Sequence, residues 1–136
     1  FVSIGTNDLT QYTMAADRLL GDLAHLNNPW QPAVLKMIKM TVEGAQRASV
    51  TAGKKKYVSV CGEAAADPAL AVVLIGLGVD TLSMNAGAIP AVAAVLKSVT
   101  KEKAQQIAAI ALQQISSAEA KESARQALPI LDELGL

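Results

Sequence analysis

Three short clusters, each following an apolar run, hold most of the side chains in this sequence that are able to do chemistry: Gly5-Thr6-Asn7-Asp8-Leu9, Cys61-Gly62-Glu63 and Asn85-Ala86-Gly87. Asp8 has two readings from its type and setting. It is either a helix cap at the end of a turn or a hard oxygen ligand for Mg²⁺, an ion that takes one or two carboxylates together with substrate oxygens. Asn7 beside it either donates to a phosphate or tolerates an unusual turn. Arg18 lies far enough beyond Asp8 for the chain to fold back, and its planar fork suits a phosphate gripped from two sides; the plainer reading is a surface arginine. Cys61 is a lone thiol at the end of an apolar run. It is either a small packing residue or, at the turn Gly62 permits, a group that exchanges a proton with carbon. His25 has no partner at a telling spacing, and neither it nor Trp30 is given a role.

These clusters need elements to position them. Phe1–Ile4 reads as a buried strand that stops at the turn formers Gly5 to Asp8. Pro32 opens a helix whose apolar stripe is Leu35, Ile38, Val42 and Ala45. Lys54-Lys55-Lys56 marks an exposed turn before a second strand, Tyr57–Cys61, closed by Gly62. Asp67-Pro68 supplies an N-cap and a first-turn proline for a helix with the stripe Leu70, Val73, Leu74 and Leu77, ended by Gly78. Val79–Met84 is the third strand expected and Ile89–Leu96 the third helix. That alternation implies parallel strands joined by right-handed crossovers.

From residue 100 the composition turns to Ala, Gln, Glu and Lys, with Ile107, Ile110 and Ile115 at helical spacings and Ser116 three before Glu119 as a capping box. Two helices are expected there, with Pro129 kinking or restarting the second. The sequence thus divides into 1–98, three βα units, and 99–136, a C-terminal helical segment. Three strands are few for an α/β domain, and a (β/α)₈ barrel takes roughly 250 residues, so the fold class expected is α/β, the last three βα units of a TIM barrel followed by C-terminal helices. Ligands of such sheets collect beyond the carboxyl ends of the strands, where all three clusters fall.

Composition narrows the partners. Twelve basic and twelve acidic side chains cancel in a chain that is 51% hydrophobic, so no overall field draws it to nucleic acid or an anionic membrane, and any bound anion must be held locally. No apolar run reaches the roughly 18 residues of a membrane span. One cysteine excludes an internal disulfide and a cysteine-built metal site, in keeping with a reducing cytosol. The start at Phe1, already inside an apparent strand, suggests an excised piece.

Ser3-Ile4-Gly5-Thr6-Asn7-Asp8-Leu9-Thr10-Gln11-Tyr12, with Ala16-Asp17-Arg18 and Cys61-Gly62-Glu63, resembles Enzyme I of the sugar phosphotransferase system, and Leu82-Ser83-Met84 with Ile89-Pro90 is similar to that family's final barrel strand and helix. Residues 1 to 98 carry the resemblance. It implies a phosphoenolpyruvate-binding TIM barrel that forms a homodimer in the cytoplasm and binds Mg²⁺. The family passes phosphate from phosphoenolpyruvate to a histidine in a separate domain and then to the carrier HPr. Carried over, Asp8 ligates Mg²⁺, Asn7 and Arg18 hold the phosphate, and Cys61 protonates the enolpyruvate carbon as pyruvate forms. The stretch Ala64-Ala65-Ala66-Asp67 departs from the family in having Ala where a Gly is usual. Phosphoenolpyruvate synthase and pyruvate phosphate dikinase share similar Asn-Asp-Leu-Thr-Gln and Cys-Gly motifs and are the alternative parents. A different class of reading makes the isolated piece a non-catalytic assembly module that associates through its open strand edges.

Overall fold

The computed structural model describes residues 1–136. Three parallel strands, β1 (Val2–Gly5), β2 (Val58–Cys61) and β3 (Thr81–Ser83), lie side by side in chain order. Each is followed by helices: α1 (Thr6–Met14) and α2 (Pro32–Ala52) after β1, α3 (Glu63–Ala66) and α4 (Pro68–Gly76) after β2, α5 (Ile89–Lys97) after β3. The expected βα alternation is present. The third strand is shorter than the Val79–Met84 expected: pairing covers Thr81–Ser83, with Val79 buried in the core ahead of it.

Strand alternation gives the sheet two unlike faces. Ile4, Val58 and Val60 point into the core, where Val34, Leu35, Ile38 and Val42 of α2 and Leu70 and Leu74 of α4 cover them. The opposite face carries Ser3, Ser59 and Thr81 in one row and Gly5, Cys61 and Ser83 in the next, as the register of the three strands sets them. These side chains are small, mostly polar and exposed or half-buried.

Two expectations change in the first βα unit and in α4. The turn formers after β1 do not make a loop: Thr6, Asn7 and Asp8 are the first turn of α1, Gly5 is its N-cap, and Asp8 makes no cap hydrogen bond. The residue types favour a turn, but Thr10 Oγ1 donating 2.7 Å to the Thr6 carbonyl and Thr6 Oγ1 donating 3.1 Å to the Cys61 carbonyl hold the helix against β2. In α4 the stripe turns out to be the whole circumference, since Ala69 through Leu74 are all fully buried. A helix apolar all round must be covered all round. The cover comes from the C-terminal segment, α6 (Lys101–Gln113), α7 (Ser117–Gln126) and α8 (Ile130–Glu133), whose Ile107, Ala108, Ala111, Ala120, Leu128 and Leu131 join the same core. Ile115, expected on a helical stripe, is instead the exposed connection between α6 and α7. The Ser116 cap is made, its Oγ accepting from Glu119 N at 3.2 Å, and the Glu119 carboxylate accepts from Ile115 N. Pro129 does restart the chain, as the N-cap of α8.

At the amino ends of the strands Asp80 acts as a staple. One carboxylate oxygen accepts from Val58 N at 2.9 Å and the other pairs with Lys55 Nζ at 2.6 Å. Loss of surrounding water pushes this carboxyl up, but the Lys55 bond and the Val58 amide together outweigh it and hold the pKa below the ordinary carboxylate value.

The contact between α4 and α6 is closest at Gly76, where a Cβ would lie 2.1 Å from the Ala104 carbonyl oxygen and 2.9 Å from Ala108 Cβ. Gly76→Ala is therefore expected to push α6 off α4 and lower stability by about 1–3 kcal/mol or more, read as a lower urea midpoint; an unchanged midpoint contradicts this packing.

Candidate active site

Elements converge at the carboxyl ends of the strands, where α1 starts directly after β1, α3 after β2, and a short 3₁₀ turn, Ala86–Ala88, after β3. Gly62 makes the turn from β2 into α3 with φ 99° and ψ −163°, a conformation open in practice only to glycine. It also lets Thr6 and Asn7 approach: a Cβ on Gly62 would stand 3.2 Å from Thr6 Oγ1 and 3.6 Å from Asn7 Oδ1. Asn85 shapes the third corner, its side chain accepting from Ala88 N at 3.0 Å.

Two clefts open at this rim. The larger, about 640 Å³, lies between the three strand ends and is walled by Asn7, Gly62, Glu63, Asp67, Ser83 and Asn85 among others. The smaller, about 270 Å³, lies over α1 and is walled by Asn7, Thr10, Arg18, Asn27, Pro29 and Glu63 with Leu19. Asn7 and Glu63 belong to both, so the two clefts meet across them.

The four residues singled out from sequence fall into this region, though not all on one wall. Asn7 and Arg18 share the smaller cleft. Arg18 folds back onto α1, with Nη1 3.8 Å from Asp8 Oδ1 and its backbone N–H donating to Gln11 Oε1 at 3.3 Å. Both charged side chains remain largely open to water, Asp8 at 71% and Arg18 at 51% exposure, so the pair is loose and free to exchange partners. Cys61 does not line either cleft. It stands half-buried on the helix-free face, in the row with Gly5 and Ser83, its thiol 3.6 Å from the Ile4 carbonyl oxygen.

Asp8, which lines neither cleft, offers a hard, water-accessible carboxylate suited to Mg²⁺, and an ion of that kind needs only one or two such ligands when substrate oxygens supply the rest. Glu63, exposed where the clefts meet, is a second carboxylate open to a ligand. Sequence reasoning named Glu63 in the Cys61 cluster but gave it no role of its own, and read Asp67 as the cap of α4, which it is, without foreseeing its place in the cleft wall. His25 sits away from the clefts, exposed on the 3₁₀ turn Gly21–Leu26 with Nδ1 3.1 Å from the Asp22 carbonyl oxygen. Trp30, by contrast, is buried and hydrogen-bonded to Asp67.

Residues 1–101 match the family model described as PEP-utilising enzyme, PEP-binding domain. The chain is 46% identical over 128 residues to the phosphoenolpyruvate-protein phosphotransferase of Streptomyces coelicolor, covering 94% of this chain and 22% of that protein. It is 39% identical over 119 residues to the protein of the same name from Haemophilus influenzae, covering 88% and 20% respectively. A multiphosphoryl transfer protein of Xanthomonas campestris is 47% identical over 113 residues, 83% of this chain and 13% of that protein. The chain thus spans about a fifth or less of the length of these relatives.

The shape of this rim rests on the Gly62 turn. Gly62→Ala is expected to cost about 1–3 kcal/mol through backbone strain alone, with the crowding against Thr6 added. A urea midpoint equal to that of the unmodified chain would show that the turn relaxes without cost.

Proposed function

The chain belongs to the PEP-binding domain family of PEP-utilising enzymes, and from that premise we propose that it is part of a phosphoenolpyruvate-protein phosphotransferase, supplying the carboxyl-end rim of a phosphoenolpyruvate-binding TIM barrel. The observation that carries this reading is the meeting of Asn7, Arg18 and Asp8 beside the strand end that bears Cys61. The barrel is supported by three parallel neighbours in chain order and by a helix-free face of small side chains, the arrangement of a barrel interior awaiting its remaining strands.

Phosphoenolpyruvate carries a phosphate, a carboxylate and a methylene carbon, and each needs a different partner. Arg18 and Asn7 face the phosphate, Arg18 releasing its loose hold on Asp8 in favour of the more highly charged group. Asp8 then becomes available to Mg²⁺, which when bound neutralises charge on the phosphoryl oxygens. The phosphoryl group leaves the enol oxygen for a histidine nitrogen in a separate part of the parent protein, and the P–O bond electrons stay on pyruvate enolate. Cys61 gives its Sγ proton to C3 of that enolate, forming the methyl group of pyruvate. The resulting thiolate recovers a proton from water. HPr then receives the phosphate from the histidine, and the parent works in the cytoplasm as a homodimer. No helix of the chain is long and apolar enough to cross a membrane.

The second reading, an assembly module, is favoured by one feature: the outer edges of β1 and β3 are both unpaired. It concerns how the piece associates and is compatible with the parent's chemistry.

The full-length protein should phosphorylate HPr from phosphoenolpyruvate and Mg²⁺ without any nucleotide. Arg18→Lys keeps the charge and loses the fork, and is expected to lower kcat/KM about 10²-fold, the scale of one preorganised charge-stabilising group. A requirement for ATP, or an Arg18→Lys protein of unaltered kcat/KM, would count against the proposal.

A further inference from the structure

Arg18 must be held at a fixed distance from the β2 rim, yet the segment that carries it is poorly tied down. No residue of the 3₁₀ turn Gly21–Leu26 is buried, and Leu19 and Leu20 are 85% and 55% exposed. Between Asp17 and Pro29 the hydrogen bonds run within the segment itself, apart from the Arg18 backbone bond to Gln11 and, at its far end, two that Asn28 accepts from Trp30 N and Gln31 N. The segment becomes anchored at Trp30, which is only 2% exposed and belongs to the main core.

Trp30 does more than fill space. Its indole Nε1–H donates 3.0 Å to Asp67 Oδ2, while its backbone N–H donates to Asn28 Oδ1 at 3.0 Å. The other oxygen of Asp67 caps α4, accepting from Ala69 N at 2.9 Å and Leu70 N at 3.1 Å. Asp67 is also part of the wall of the larger cleft, with Gly62 and Glu63, whereas Pro29, next to Trp30, is part of the wall of the Arg18 cleft. One hydrogen bond therefore joins the wall that holds Arg18 to the wall that follows Cys61, and both of its ends are fixed, one by core burial and the other by a helix cap.

We propose that Trp30 and Asp67 form a positioning pair that sets the spacing between Arg18 and the Cys61-Gly62-Glu63 turn, and so aligns the phosphate with the carbon to be protonated. This rests on the proposed phosphoenolpyruvate chemistry. The pair touches neither reacting atom. Its effect lies in alignment, where a displacement on the order of 1 Å is enough to slow a reaction about 10²-fold.

Trp30→Phe keeps the apolar body and removes only the indole donor, and Asp67→Asn keeps an oxygen for the α4 cap while placing an N–H₂ toward the indole. Both variants and the double variant, made in the full-length protein, should be compared for kcat and KM with phosphoenolpyruvate and for urea midpoint. Each single variant is expected to lose about 10-fold or more in kcat with KM little changed, and the double variant should be no slower than the worse single one, because both remove the same bond. Lower urea midpoints with normal kcat would make the bond merely structural and overturn the proposal. So would losses in kcat that multiply in the double variant. An unmodified protein that cannot use phosphoenolpyruvate at all sinks the functional reading and this inference together; one that does, with both variants unimpaired in kcat, sinks the inference alone.

Discussion

A helix with no polar side has to be enclosed, and α4 imposes that requirement on the whole chain. From Ala69 to Leu74 every side chain is buried. The sheet and α5 cover part of its surface, and α6 and α7 cover the rest, at a separation so small that Gly76 has room for no side chain. Residues 99–136 are thus the outer layer over the second βα unit. Because the apolar surface is gathered on that side of the sheet, the other side is left with Ser3, Ser59, Thr81, Gly5, Cys61 and Ser83. The same constraint that packs the core leaves the Cys61 thiol on the open face of the sheet.

At the strand ends the two halves of the proposed chemistry are held by different means. Cys61 sits on a strand paired on both sides and is fixed by the sheet. Arg18 lies on a long connection and is fixed by its return to α1, by the loose pair with Asp8 and by the buried Trp30 farther on. In the proposed chemistry a thiol fixed by the sheet would face a phosphate grip whose spacing Trp30 sets and whose fork, only loosely paired with Asp8, can exchange partners. Placing catalytic groups on loops above a rigid sheet is the general arrangement of this class of fold.

Much of this could be read from the residues. Gly62 ended β2, Asp67-Pro68 opened α4 and Ser116 capped α7, because each of these signals is local and is not opposed by distant contacts. Asn7, Asp8 and Arg18 were recognisable as candidates by type, and the structure brings Asn7 and Arg18 to one cleft and Asp8 to Arg18. What could not be read depended on distant partners. The Gly5 to Asp8 run looked like a turn and became the start of a helix, held in part by the Thr6 bond to the Cys61 carbonyl, 55 residues away. The stripe on α4 widened to its full circumference because the helices covering it lie far along the chain. Ile115 kept its helical spacing but fell in a connection, and Trp30 gave no sign of the carboxylate 37 residues on that its indole would meet.

The central claim is that Cys61 moves a proton to and from carbon at this rim. The most direct test is exchange of the pyruvate methyl hydrogens in D₂O with Mg²⁺ present, followed by proton NMR, using the full-length protein and its Cys61→Ala variant. A group that protonates the enolate in one direction removes the methyl proton in the other. The unmodified protein should therefore exchange these hydrogens, and the variant should be slower by at least about 10²-fold, the lower end for loss of a general acid–base group. Equal exchange rates, or no exchange by the unmodified protein, would contradict the account and leave Cys61 as a packing residue on an open sheet.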